Sequence, residues 1–379
     1  MIDFELTSDQ VLLRDTIRDF ARREIEPGAA RRDETGEFPH ALIPKLAELK
    51  VFGLMVPEEY GGAGLGALDA AIVIEEIARI DGSLALIVAS HNSLCSGHIL
   101  QFGNDDQKKK YLTRLAKGDA LGAWGLTEAD SGSDAASLST RARMEKDRWI
   151  LTGRKMFITQ GTTAGIYVIM ARSGGEGKDG ISAFILEKGM SGLSTGPPEK
   201  KMGVRSSDTA SVIMEEVAIP KENLIGEVND GYRQVLQVLD GGRIGIGAMS
   251  VGLGRAALED SIRYAKTRKQ FGKSIGEHEA IAFMIAEMGT EIEAARLLVH
   301  KAGFLKDNGL PYHLEASEAK LYASEAAVRA AHSGIQIHGG SGYLKDFPLE
   351  RYYRDARLCE IGEGTSEIQR IVISREILK

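Results

Sequence analysis

The residues best placed to do chemistry lie near the end of the chain, in Arg354-Asp355-Ala356-Arg357-Leu358-Cys359-Glu360-Ile361-Gly362-Glu363-Gly364-Thr365-Ser366-Glu367-Ile368-Gln369-Arg370. Glu363 stands between two glycines, just ahead of a helical run. Ser366 with Gln369 fits the S-x-x-Q pattern of a helix start. Glycines on both sides let backbone approach a ligand closely. A carboxylate so placed can act as a general base; taken alone, the segment is more simply a solvated Glu in a Gly-rich turn. Other suggestive patterns fail their structural context. Gly252-Leu253-Gly254-Arg255-Ala256-Ala257 matches a relaxed dinucleotide fingerprint, but it lies inside a helical stretch rather than between a strand and a helix, so helix packing is the expectation. The 8 histidines show no metal spacing, and His332 and His338, six apart in a helical run, do not share a face. No metal site is expected.

Four further segments give Glu363 a context. Glu363-Gly364-Thr365-Ser366-Glu367-Ile368-Gln369-Arg370 resembles the signature of acyl-CoA dehydrogenases. Leu126-Thr127-Glu128 followed by Ser131-Gly132-Ser133-Asp134 resembles that family's first flavin-binding signature. Lys155-Met156-Phe157-Ile158-Thr159 resembles its isoalloxazine-contacting strand. Arg268-Lys269-Gln270-Phe271-Gly272 resembles the segment that reaches a neighbouring subunit's FAD, and Gln336-Ile337-His338-Gly339-Gly340 resembles the flavin-diphosphate loop. The motifs fall in family order over roughly residues 5 to 377 and resemble a bacterial short- or branched-chain member.

The resemblance implies a base that removes a proton α to the thioester carbonyl while hydride leaves the β carbon for flavin. Glu363 holds the position of that base. Some relatives carry the base on the long helix after the β domain, where this chain has Gly242 in Asp240-Gly241-Gly242-Arg243. A free Glu titrates near about 4.3, and desolvation by a bound acyl chain is expected to raise it. The resemblance assigns FAD contacts to Trp124, Leu126, Thr127, Gly132, Ser133, Phe157, Ile158, Thr159, Arg268, Gln270, Phe271, His278, Gln336, Ile337, Gly339, Gly340, Thr365 and Glu367. It assigns substrate contacts to Ser133, Asp240, Arg243, Gly362, Gly364 and Arg375, and places His91 on the helix that lines the acyl end. Asp240 and Arg243, three apart on one helix face, fit a simple intrahelical ion pair equally well. Phe157 stands where many relatives have Trp, and Gly362 where many have Tyr. Ala85 stands where relatives that bind a dicarboxyl substrate have Arg, so a short, branched or cyclic acyl-CoA is the expected substrate. The implied partners are an electron-transfer flavoprotein and three further copies in a homotetramer, a dimer of dimers. Rival readings are an acyl-CoA oxidase that uses O₂, and a non-catalytic flavin- or CoA-binding protein.

Three stretches of different texture must position these residues. Residues 1–120 carry apolar residues at helical spacing, with Ser8 a candidate cap, and form an N-terminal helical domain. Residues 121–231 alternate apolar and polar residues between Gly-rich turns, as at 149–152, 167–170, 182–186 and 211–214, and predict a small β barrel or sandwich. Residues 232–379 return to long helical patterns, over 232–266, 277–306, 314–339 and 367–377, and predict a C-terminal four-helix bundle. The α, β, α order makes an α+β multidomain protein and excludes a doubly wound parallel sheet.

The composition of the 379 residues is that of a globular protein, with hydrophobic residues at 43% and charged residues at 27%. Glycine is in excess, with 44 residues but no collagen period. The net charge of −7 and the lack of a basic stripe speak against nucleic acid. Cys95 and Cys359 make no metal spacing or disulfide framework, so a reducing compartment, the cytoplasm, is expected. Met1-Ile2-Asp3-Phe4-Glu5 is acidic and lacks the pattern of a signal peptide. No apolar run approaches the ~20 residues of a membrane span.

Overall fold

In the computed structural model, residues 5–379 are described; the opening residues 1–4, which bear on the signal-peptide expectation, lie outside that range. The chain builds a helical domain, a sheet domain and a second helical domain in the expected order.

The first domain holds α1 (Ser8–Phe20), α2 (Glu26–Thr35), α3 (Ile43–Glu48), α4 (Ala67–Ala78), α5 (Gly82–Ser90), α6 (Gly97–Phe102), α7 (Asp105–Gln107) and α8 (Thr113–Ala116). Thr7, not Ser8, caps α1: its side chain accepts from the Gln10 N–H, and Gln10 returns the bond in a capping box. A π turn over His91–Ser96 joins α5 to α6, so the continuous helix expected there carries a local bulge. α4 and α5 are buried along nearly their whole length.

The last domain is built on α9 (Gly231–Thr267), a 37-residue helix packed against α10 (Glu279–Asp307) and α11 (His313–His338). α12 (Leu349–Cys359) and α13 (Ser366–Ile377) pack on α11. Helix α12 went unanticipated because its sequence is densely charged, although Leu349, Tyr352, Ala356 and Cys359 keep a helical stripe that is buried. α11 faces its neighbours with Ala316, Ala319, Ala323, Ala326, Ala327, Ala330 and Ala331, all buried. Small side chains on one helix and glycines on the other bring the axes close. A Cβ added at Gly252 would lie 2.6 Å from the Ala78 Cβ, and one at Gly254 would lie 3.3 Å from Ile292 Cγ1. Helix packing, not a nucleotide, explains both glycines. Gly252→Ala is expected to cost about 1–3 kcal/mol by overpacking, despite Ala's better helix propensity; chemical denaturation of the FAD-loaded protein checks it.

Buried charge fixes α4 to α1, α9 and α10. Arg18 Nη2 and Arg255 Nη2 each donate to Glu76 at 2.8 Å, and Arg296 Nη2 reaches Glu75 at 3.1 Å. Those two guanidinium groups hold the Glu76 carboxyl near 2 against the effect of its burial.

The middle domain holds β1 (Gly122–Gly125), β2 (Arg141–Glu145), β3 (Arg148–Thr159), β4 (Ile166–Arg172), β5 (Ile181–Glu187), β6 (Leu193–Thr195), β7 (Thr209–Pro220) and β8 (Leu224–Ile225). They form one mixed sheet in the order β6-β7-β3-β2-β4-β5-β8, with β1 paired to β4. A single parallel bridge, Arg141 with Arg172, joins its two halves. Trp149, Leu151, Val212 and Val217 from one half share a core with Tyr167, Ile169, Phe184 and Leu186 from the other. β3 and β7 slip register between Lys155 and Ile158, where Phe157 takes φ 58°. A bulge of this kind re-aims a side chain, and here it leaves the Phe157 ring 62% exposed on an otherwise half-buried strand.

Candidate active site

Glu363 lies in the short link between α12 and α13. It takes φ 55°, a left-handed conformation uncommon for a residue with a Cβ. Gly364 follows at φ 96°, which only glycine adopts at little cost. Thr365, rather than Ser366, caps α13, its hydroxyl accepting from the Ile368 N–H at 3.3 Å. The elbow is held from two sides. Lys320 Nζ on α11 donates to the Gly364 carbonyl at 2.7 Å, and Gln369 Nε2 donates to the same carbonyl at 2.9 Å.

The elbow turns the carboxylate inward onto α9. A Cβ added at Gly242 would lie 2.9 Å from Glu363 Cδ, overlap its Oε2, and come within 3.1 Å of Leu94 Cδ2. Glu363 Oε2 is buried and receives no hydrogen bond. Burial pushes the carboxyl up to about 7, with the cations of Lys320 and Arg243 pulling it down. The chain itself therefore desolvates this carboxyl, and the rise does not wait for an acyl group. Arg243 is committed elsewhere: its Nη1 donates to Asp240 at 2.6 Å and to Ser317 Oγ at 3.0 Å. His313 Nδ1 lies 2.7 Å from the same Asp240 oxygen. The intrahelical pair expected of Asp240 and Arg243 is thus present, enlarged by two residues from α11.

His91 is a correction. Its side chain is fully buried, with Nε2 2.9 Å from the Phe52 carbonyl and Nδ1 accepting from the Gly122 N–H at 3.1 Å. Neither nitrogen is left for a substrate, so it ties the π turn to β1. Leu94, on the same turn, is what reaches Gly242. A Cβ at Gly362 would rest in ordinary contact with Leu358, at 3.6 Å and beyond. Arg375 is exposed on α13.

The flavin-signature residues gather around β1 and β3. Met156 N–H donates to the Thr127 carbonyl at 2.8 Å, and Lys155 Nζ donates to Leu126 O at 3.1 Å and to Glu128 Oε1 at 2.6 Å. Glu128 in turn accepts from the Ser139 and Thr140 N–H groups. This buried Lys–Glu pair pins the 126–134 loop beside the bulge that presents Phe157. The side chains of Trp124, Leu126 and Ile158 are buried, and Trp124 Nε1 donates to His98 at 3.0 Å. Little of these three residues is left exposed to a ligand. Thr127, Ser133 and Thr159 keep at least part of their surface, and a Cβ at Gly132 meets nothing within 4 Å. An exposed aromatic ring beside free hydroxyls and open backbone suits a flat, polar-edged ring system.

A second group lies in the last domain. Arg268, Gln270 and Phe271 are exposed where a two-stranded hairpin follows α9, Phe271 at 94%. His278, which precedes α10, packs edge-on against Phe271. Gly339 and Gly340 stand in open space after α11, beside exposed Gln336, whereas the Ile337 side chain is in the helical core. Glu367 is exposed in the first turn of α13. Among the described residues no cluster of His, Cys, Asp or Glu could hold a metal, and no helix is long and apolar enough to cross a membrane.

Family comparisons agree over nearly the whole chain. The acyl-CoA dehydrogenase N-terminal, middle and C-terminal domain families match residues 7–119, 123–217 and 229–378. The chain belongs to the acyl-CoA dehydrogenase family. A short-chain specific acyl-CoA dehydrogenase of Clostridium acetobutylicum is 43% identical over 379 residues, all of both chains. The butyryl-CoA dehydrogenase of Megasphaera elsdenii superposes with a TM-score of 0.98 at 39% identity, covering 100% of each chain. A chain solved in work on the electron transferring flavoprotein of Acidaminococcus fermentans does so with a TM-score of 0.98 at 43% identity, also over 100% of each. This acyl-CoA dehydrogenase is an FAD-dependent flavoprotein oxidoreductase that dehydrogenates acyl-CoA thioesters.

Sequence reasoning missed three residues of the site. Lys320 is a lysine on an alanine stripe and could have been flagged as misplaced. Gln369 was placed as a capping partner rather than a clamp. Leu94 stood next to the residues considered and carried no signal of its own.

Proposed function

We propose that this enzyme oxidises a short-chain saturated acyl-CoA to the 2-enoyl-CoA, with Glu363 as the base. The observation that carries the reading is the Glu363 carboxylate, buried and unpaired at Oε2 and raised to about 7. A base serves best when its pKa lies near the working pH. The α C–H bond breaks and its proton passes to Glu363; the β C–H bond breaks and its electron pair leaves with hydrogen as hydride; the C=C bond forms between them. FAD, when bound, supplies the hydride acceptor. The Thr127–Ser133 loop and Thr159 would hold it, with Phe157 against its ring. Arg268, Gln270, Phe271, His278 and the Gln336–Gly340 segment would come from a second copy within a homotetramer, as the family resemblance implies. Electron-transfer flavoprotein would reoxidise it, in keeping with the setting in which one structural neighbour was solved.

The short chain follows from how closely the helices approach beyond the base. One turn past Gly242, a Cβ on Gly245 would touch Ala89 at 3.4 Å and Ile74 at 3.7 Å. Leu94 fills the side nearest Glu363. This close packing supports a short acyl site, as do the names of the relatives, short-chain specific and butyryl-CoA dehydrogenase. Substrate contacts by Ser133, Asp240, Arg243, Gly364 and Arg375 belong to the same proposal. The test is an anaerobic panel of straight, branched, cyclic and aromatic acyl-CoA thioesters. Bleaching of the flavin should be fastest for short straight chains, and a preference for a long chain would overturn the assignment. The kcat/KM profile should fall as pH drops through about 7, where the raised Glu363 carboxyl takes up its proton.

A further inference from the structure

Lys320 is fully buried on α11, on the helix face that also buries Ala316, Ala319 and Ala323. An ammonium group in such surroundings is disfavoured unless something offsets its lost hydration. Its one hydrogen bond goes to the Gly364 carbonyl, the peptide that follows Glu363. That carbonyl already has a neutral donor in Gln369 Nε2. Satisfying the carbonyl therefore does not by itself require a cation. The charged and titratable groups that Lys320 faces are Cys359 on α12, Arg243 on α9, Glu325 on its own helix, and Glu363. Glu325 is paired with Arg370 at 2.6 Å, and Arg243 with Asp240. Glu363 is the carboxylate of this set without a partner.

We infer that Lys320 is a positioning residue for the reaction, with two separable effects. Its hydrogen bond locks the Glu363–Gly364 elbow in the left-handed conformation that aims the carboxylate past Gly242. Its buried charge favours the ionised form of Glu363, the form ready to take the α proton. The inference rests on Glu363 being the base.

Two substitutions in the FAD-loaded enzyme separate the effects. Lys320→Gln keeps a donor for the Gly364 carbonyl and loses the charge. The acid limb of its kcat/KM profile is expected to rise by about 1 pH unit, the size of a nearby charge's influence on a carboxyl, with most of kcat retained above that limb. Lys320→Met loses both donor and charge. Its limb should rise as well, and its kcat should fall about 10- to 100-fold at every pH, as displacement of a catalytic group does. KM and flavin content should change little in either variant. A merely structural lysine would lower thermal stability without moving the limb. An unmoved acid limb in folded, FAD-loaded Lys320→Gln overturns the inference, and that variant decides alone if Lys320→Met does not fold. Glu363→Gln, measured alongside, separates the two claims: if it turns over normally the base assignment falls, and if it is inactive while the Lys320 limb stays put, only the role of Lys320 falls.

Discussion

Glu363→Gln is expected to slow flavin reduction by about 10²- to 10⁴-fold, the range that a positioned general base contributes. The change is nearly isosteric and leaves the elbow intact, because the bonds from Lys320 and Gln369 go to backbone carbonyls rather than to the carboxylate. The buried site does not object to the amide. The carboxyl it replaces already titrates at about 7, so a neutral group at that place suits the surroundings. FAD content and acyl-CoA binding should therefore persist. Anaerobic mixing with a short acyl-CoA, followed by the flavin's visible absorbance, measures the effect. Rapid bleaching by the variant would show that the proton goes elsewhere.

The second large effect is expected from Gly242→Ala, one methyl group added directly against the Glu363 carboxylate. Glycine inside a helix costs roughly 0.5–1 kcal/mol relative to alanine, so the helix itself gains. Yet the new methyl would overlap Glu363 Oε2 and crowd Leu94. The carboxylate must swing away from the space it now fills. Since a displacement of about 1 Å can cost roughly 10²-fold, kcat should drop by that order while the melting temperature holds or rises. Steady-state kinetics beside thermal melting of the same preparation makes the test. A fully active Gly242→Ala would mean that the working position of the carboxylate differs from the one described.

Much of this site was legible in the sequence because it lies in short, contiguous motifs. The Gly-Glu-Gly-Thr segment, the 126–134 loop and the 155–159 strand each keep their chemistry within a few residues. The three-part architecture followed from periodicity, since long helical stripes and short alternating runs rarely imitate each other. What escaped depends on contacts between distant segments. Lys320 and Glu363 are 43 residues apart, and Leu94 and Gly242 meet only because two domains pack together. His91 looked like a pocket residue because histidine is versatile, but the backbone at Phe52 and Gly122 claims both its nitrogens. The bulge at Phe157 could not be anticipated from β3 alone, because it is a mismatch of register with β7. The caps at Thr7 and Thr365 were each misplaced by one residue, the usual uncertainty of a helix end.

The glycine row along the central helix also constrains how this enzyme could diversify. Gly242 faces Glu363 with bare backbone, whereas Gly245 is covered by Ala89 and Ile74. A lineage that sought larger substrates could not trim Gly242, since glycine has nothing left to remove. Point substitutions there can only shrink the room. Enlargement has to come from the side chains packed against the two glycines, by shortening Leu94 or Ile74 or by loosening the π turn that carries Leu94. Accumulated change around Glu363 should thus be lopsided, with rigidity at Gly242 and tolerance at the side chains that face it.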